Sequence, residues 1–250
     1  MPLLEVEQLS VSFGGVRALH LVDLDVTAGQ STGLIGPNGA GKTTLFNAIC
    51  GLQSIDSGRV LLDGQEINGV AAHRRARLGI ARTFQRLEVF GSMSTRDNIR
   101  VAVDVQRRWS RRGSPRAVAA VADPAQRTEE ILDRVGLRAV ADDRVESLPT
   151  GLARLVEVGR ALASQPTVLL LDEPSSGLSE EETDSFADLL EDLAAEGLAV
   201  LLVEHDVELV MRVCARIHVL DFGEIIAVGT PAEVQGNALV QTAYLGTAAG

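Results

Sequence analysis

The stretch GPNGAGKTT at residues 36–44 and the run VLLLDEP at 168–174 hold the residue types from which phosphate chemistry is built. In the first, Gly36, Gly39 and Gly41 let backbone N–H groups turn inward around an anion. Lys42 supplies a point charge for terminal phosphates and the Thr43 hydroxyl can ligate Mg²⁺, while Asn38, Ala40 and Thr44 complete the loop. The short apolar run TGLIG precedes the loop as a strand, and KTTLFNAICGL follows it as a helix whose positive end would face the phosphates. In the second stretch, Asp172 ends a buried strand, where it can hold a Mg²⁺ shell through water. Glu173 stands beside it, able to orient or deprotonate an attacking water. A carboxylate pair at a strand end is by itself often only a helix cap; downstream of a phosphate loop it reads as catalytic.

Three single residues gain meaning from their order. Phe13, in VSFGG, lies upstream of the loop and could stack on a base, although alone it reads as a core aromatic. Gln85, in RTFQR, follows a strand and could touch metal or water; alone it is a surface glutamine. His205, in LLVEHD, ends a buried strand and could hydrogen-bond a γ-phosphate; alone it is a structural histidine. A fourth feature is SLPTGLARLVEVGRALA at 147–163, a turn running into a helix. Thr150 is placed to cap it, Leu152, Leu155, Val156, Gly159 and Leu162 form an apolar face, and Arg154, Glu157 and Arg160 form the opposite one.

The elements that must position these residues follow from patterning. The first thirty-odd residues alternate polar and apolar, which predicts antiparallel strands with one wet face. Residues 58–67 read as a hairpin around Asp63-Gly64, and residues 70 to 160 are mainly helical. TVLLLDEP then restores a buried parallel strand, followed by helix 179–196, strand 198–203, helix 206–215 and strand 216–220. The expectation is a single α/β domain over 1–250. Residues 1–85 and 161–250 form a P-loop NTPase core with an N-terminal antiparallel β subdomain, and about 86–160 form an inserted helical subdomain.

With 46% apolar and 3% aromatic residues, the core must be built from aliphatic side chains. The formal charge of −11 argues against nucleic acid as a partner, since phosphate backbones need an electropositive face. Cys50 and Cys214 stand far apart in apolar surroundings and read as reduced core residues. The opening MPLLEVEQLS has no basic n-region, and runs such as LAVLLV are far shorter than a membrane helix. One segment departs from the composition: QRRWSRRGSPRA at 106–117 carries five arginines and a tryptophan. It is either a solvated connection between helices or a surface for lipid headgroups or an acidic partner.

Phe13, GPNGAGKTT, Gln85, the 147–152 turn, VLLLDEP, SSGLS and His205 occur in the order found in ATP-binding-cassette ATPases, and the chain resembles that family over nearly its whole length. In the family, two such domains sandwich two ATP molecules, each between one subunit's phosphate loop and the other's signature turn. By this resemblance Gln85 is the Q-loop residue and a metal contact, His205 the switch histidine and Glu173 the catalytic carboxylate. Asp172 and Thr43 lie on the metal side. Leu148, Pro149, Thr150, Gly151 and Leu152 fall on a signature that usually reads LSGGQ. Pro149 removes the signature serine hydroxyl and one N–H, and Leu152 a polar side chain, so a weakened site is expected. Thr150 is a possible substitute hydroxyl. Ser179 replaces a common acidic or amide residue of the D-loop.

GIARTFQRLEVFGSMSTRDNIRVA, the proline in the signature, VEHDVELVM and the ending LVQTAYLG resemble the longer ATPase of branched-chain amino-acid importers. Urea and amide importers carry similar subunits. The resemblance implies MgATP as cofactor, a second cassette as homo- or heterodimer partner, two integral-membrane permeases and, indirectly, a solute-binding protein. It also implies a peripheral position on the cytoplasmic membrane face. A soluble P-loop kinase or GTPase would have no reason for the ordered Gln85, signature and His205; a weakly hydrolysing nucleotide sensor would.

Overall fold

The structure, a computed structural model, describes residues 2–111 and 123–245. Strands β1 (Pro2–Phe13) and β2 (Val16–Thr27) pair antiparallel, and β1 pairs on its other edge with β4 (Ser57–Leu62), which turns through Asp63-Gly64 into β5 (Gln65–Glu66). Both turn residues have positive φ, 51° and 69°, as a two-residue hairpin of the favoured hand requires. The second sheet has the order β10-β9-β3-β8-β7-β6. These strands are β3 (Ser31–Ile35), β6 (Ile80–Arg82), β7 (Val168–Asp172), β8 (Ala199–Val203), β9 (Cys214–Asp221) and β10 (Glu224–Gly229). β6, β7, β8, β3 and β9 run parallel, and β10 is an antiparallel edge.

The unbroken apolar runs of β3, β7 and β8 follow from burial on both faces. In β7, Val168 and Leu170 face one core with Leu45, Phe46 and Ile49 of α1 (Lys42–Cys50) and the inner side of the antiparallel sheet. Leu169 and Leu171 face the other, with α5 (Thr150–Ala163) and α6 (Glu180–Ala195). That second core continues without a break into α3 (Thr95–Arg111) and α4 (Pro124–Arg134) through Ile99, Val103 and Ile131. Gly159 is where these helices close: a Cβ there would meet Ile99 Cδ1 at 3.0 Å and Ile131 Cγ2 at 3.3 Å.

Sequence patterning missed the elements after residue 221, β10, α8 (Pro231–Gln235) and α9 (Ala238–Leu245), whereas α7 (Val207–Val213) stands within the helix expected over 206–215. Both free cysteines are buried, and burial pushes the Cys214 thiol up to about 12. Of the arginine-rich segment, 106–111 are the last turns of α3, where the Trp109 ring stacks under the Arg77 guanidinium; 112–117 lie outside the described residues.

Candidate active site

The C-terminal ends of four parallel strands bring the chemistry to one edge of the sheet, where ligands bind in open α/β folds. The phosphate loop follows β3, Gln85 lies three residues beyond β6, Asp172 and Glu173 close β7, and His205 lies two residues beyond β8. β8 sits between β3 and β7, so the loop and the carboxylates flank the histidine.

The loop needs its glycines for specific contacts. A Cβ on Gly36 would sit 1.9 Å from Leu220 O, and one on Gly41, at φ 111°, would sit 2.8 Å from Ala18 O. Gly223 N–H donates to Ala40 O at 2.9 Å, tying the loop to the β9–β10 turn. Lys42 is buried, its Nζ donating to Gly36 O at 2.6 Å and Pro37 O at 3.0 Å. Burial pulls its pKa down, against the upward pull of the Glu173 and Asp172 charges. Thr43, one residue on, is exposed in the first turn of α1. A buried cation hydrogen-bonded to two loop carbonyls, beside a glycine cradle and a helix N-terminus, fits a polyphosphate.

Asp172 is buried, and its carboxyl is pushed up by burial despite Arg82, whose Nη2 lies 3.4 Å from Oδ2. Its N–H donates to Thr83 Oγ1 at 3.0 Å. Glu173 takes a left-handed conformation, φ 50°, rare for a residue with a side chain. Its N–H, donating to Val203 O at 2.9 Å, fixes that turn. The consequence is a direct contact: Glu173 Oε1 lies 3.0 Å from His205 Nε2, with the histidine side chain 48% exposed. Phe13, at the tip of the β1–β2 hairpin, is 49% exposed and not a core residue.

The 147–152 turn differs from its sequence reading in two ways. Thr150 does not cap α5: it is the first helical residue, the N-cap is Pro149 at φ −51°, ψ 148°, and no side chain caps the end. A proline N-cap has no side-chain acceptor to offer. Gly151 abuts the 175–178 loop of the same chain, where a Cβ would sit 2.5 Å from Gly177 O, with Leu178 Cδ2 at 2.8 Å. Leu148, extended at φ −78°, ψ 150°, precedes this junction. Ser179 is the N-cap of α6 in a reciprocal capping box with Glu182. Its residue type thus serves the helix start.

Nor is the polar face of α5 a solvated one. Glu157 is 6% exposed and its Oε1 accepts the Glu88 N–H at 2.9 Å. Arg154 donates to Gln85 O at 3.4 Å and Arg160 to Glu88 O, and the Arg160 guanidinium lies 4.8 Å from the Phe90 ring centre. The polar stripe opposite the apolar face therefore grips the backbone of Gln85 and Glu88, and Gln85 itself is exposed with its carbonyl held this way. Burial raises the Glu157 pKa, offset by that hydrogen bond and the two arginines.

Sequence reasoning also missed Arg82 and Glu204. Arg82 joins α1 to β7, donating to Asn47 Oδ1 at 2.7 Å beside Asp172, with its guanidinium 4.4 Å from the Phe84 ring centre. Its position at the end of β6, three residues before Gln85, was the available signal. Glu204 is 5% exposed although it adjoins His205; burial raises its pKa against two backbone donors.

Residues 19–176 match the family model described as "ABC transporter". The chain belongs to the ABC transporter family. It is an ATP-binding cassette, the ATPase component of such transporters. Residues 224–250 match a second model, "Branched-chain amino acid ATP-binding cassette transporter", which covers the elements the patterning missed. The cassette is 36% identical over 252 residues to the high-affinity branched-chain amino acid transport ATP-binding protein LivG of Escherichia coli, covering 99% of each chain. It is 37% identical over 255 residues to BraF, of the same description, from Pseudomonas aeruginosa, again covering 99% of each. The lipopolysaccharide export ATP-binding protein LptB of Haemophilus influenzae is 32% identical, covering 98% of each. Among solved structures, a nucleotide-free ATP-binding cassette from an ABC transporter matches with a TM-score of 0.83 at 27% identity, covering 98% of this chain and 99% of that one.

Proposed function

We propose that this cassette hydrolyses MgATP to energise a branched-chain amino-acid importer, working as a dimer on the cytoplasmic face of its permeases. The chemical support lies at one sheet edge: the Lys42 loop, Asp172 and the 3.0 Å Glu173–His205 contact. The contact carries the reading. In it, Glu173 accepts the proton of the attacking water, and His205 holds that carboxylate on one side while facing the γ-phosphate on the other. Lys42 exchanges its loop carbonyls for the β- and γ-phosphate oxygens, and Phe13 stacks on the base. Leu148, Thr150 and Gly151 approach the phosphates bound by the partner cassette. Mg²⁺, when bound, neutralises charge between the phosphates; Thr43 and Gln85 would ligate it and Asp172 hold its water shell.

No helix among the described residues is long and apolar enough to cross a membrane. A groove of about 340 Å³ lies between α2 (Ala72–Leu78), α3 and α5, with Trp109, Leu52 and Phe84 as apolar walls and Glu88 and Arg160 at its rim. It borders the segment that leads to Gln85, which suits it to take a permease helix and pass its movement to the phosphates. The lobe of roughly 86–160 would swing with it. Relatives of both import and export type resemble this chain; the 224–250 match and the higher identity to LivG and BraF favour amino-acid import. The test is ATPase activity of the cassette reconstituted with its permeases in liposomes. A binding protein loaded with leucine should stimulate it. Stimulation by lipopolysaccharide and none by leucine would overturn the import reading.

A further inference from the structure

Glu204 places a carboxylate where neither phosphate nor metal chemistry asks for one. It follows the last residue of β8 and precedes His205, and it is buried to 5% exposure. Its two oxygens are used separately. Oε1 accepts the Ser175 N–H at 2.7 Å, and Oε2 accepts the N–H of its own neighbour His205 at 3.1 Å. Ser175 lies two residues beyond Glu173, whose Oε1 meets the His205 ring at 3.0 Å. The contacts close a ring: Glu173 side chain, His205 imidazole, His205 N–H, Glu204 carboxylate, Ser175 N–H, and back along the chain to Glu173.

We propose that Glu204 is a positioning residue for hydrolysis: its carboxylate, bridging two backbone N–H groups, fixes His205 and the Glu173 turn in mutual register. The proposal rests on the reading of Glu173 and His205 as the reacting pair. Its physical basis is that both members of the pair sit just beyond strand ends, where the Glu173 N–H bond to Val203 O holds one backbone but neither reacting side chain. Glu173 is in a left-handed turn, and the His205 side chain is nearly half exposed. Asp206 caps α7 through Leu209 N–H at 3.1 Å and so anchors only the far side of His205. A carboxylate accepts at both of its oxygens, so this one side chain satisfies two donors that approach from different segments. Glutamine can accept from one N–H and turns an amide donor toward the other. The same bridge has a longer reach. The loop from Ser175 runs to Gly177, whose carbonyl abuts Gly151 in the signature turn, so Glu204 also sets the loop through which that turn meets the reaction centre.

The test compares turnover, KM for ATP and melting temperature of the purified full chain in Glu204→Gln, Glu204→Ala, His205→Ala and Glu173→Gln. Histidine ring resonances are recorded alongside for wild type and Glu204→Gln. Glu204→Gln is nearly isosteric and keeps one acceptor, so it remains informative if the alanine variant fails to fold. The expected result is a kcat lowered by about tenfold, the effect of roughly one lost hydrogen-bond's worth of transition-state positioning, with KM for ATP within about twofold. The His205 ring resonance should move while those of His20 and His73, on β2 and α2, stay. A folded Glu204→Gln with wild-type kcat and an unmoved His205 resonance overturns the proposal, as does a change confined to KM. If His205→Ala and Glu173→Gln themselves leave turnover intact, the assignment of the reacting pair fails instead.

Discussion

Replacing Pro149 by serine separates two consequences of one turn. Pro149 is the N-cap of α5, its carbonyl accepts the Ala153 N–H at 3.0 Å, and no side chain caps the helix. A serine there would accept an N2 or N3 N–H, worth about 1 kcal/mol. Releasing the proline's restraint on the unfolded chain costs about 0.4–1 kcal/mol. The two nearly cancel, so Tm should move by only about 2–4 °C at most. A hydroxyl can accept and donate at once, so the same serine also offers a bond to the phosphate of the opposing site. Hydrogen bonds to charged groups contribute about 1.5–3 kcal/mol, or roughly ten- to a hundredfold in rate if felt fully in the transition state. Phosphate release at saturating MgATP, measured on the purified homodimer, should rise by that range. Unchanged turnover in a Pro149→Ser chain that melts and binds ATP like wild type would refute this. Thr150, Gly151 and the helix dipole would then already suffice.

Other perturbations have equally defined outcomes. Lys42→Ala should weaken MgATP binding in calorimetry by about 1.5–3 kcal/mol, and wild-type affinity would remove the loop from the mechanism. Glu157→Ala leaves the Glu88 N–H without its acceptor, at a cost of about 1–3 kcal/mol. Hydrogen exchange at residues 85–90 should accelerate, with Glu157→Gln largely protecting it; equal protection in the alanine variant would show that the grip is idle. Burial holds His218 at a pKa of about 4 against an ordinary 6.5, with Asp25 Oδ1 3.6 Å away pulling it up only partly and Arg216 pulling it further down. The unfolded chain therefore binds more protons between pH 6.5 and 4, and stability falls on acidification through that window by up to about 3 kcal/mol. Urea melts at pH 7 and 4.5 should show this loss, smaller in His218→Leu; parallel losses in both would assign it to other groups.

The candidate chemistry was legible in the sequence from motif context: a glycine loop between strand and helix admits few uses, and an acidic pair at a buried strand end gains meaning downstream of it. The supporting contacts were not. Glu157 and Arg160 occupy helix positions that a 3.6-residue period assigns to solvent, and only the tertiary fold lays the 85–90 segment over them. Glu204 reads as an exposed charge next to His205, since nothing local reveals that Ser175 will approach. Thr150 fits a cap by type, yet the chain turns one residue earlier, at Pro149. The elements after residue 221 carried a usable signal: Thr230, Pro231 and Glu233 form a capping box with proline at the first helical position.

The central claim, that ATP is hydrolysed where Glu173 meets His205, is tested most directly by Glu173→Gln in the full-length chain. Turnover and dimer content are measured together, with MgATP and without. The account predicts that ATP binding persists, hydrolysis stops, and an ATP-dependent dimer accumulates because its nucleotides are never cleaved. Steady-state turnover at the wild-type rate in this variant would contradict it.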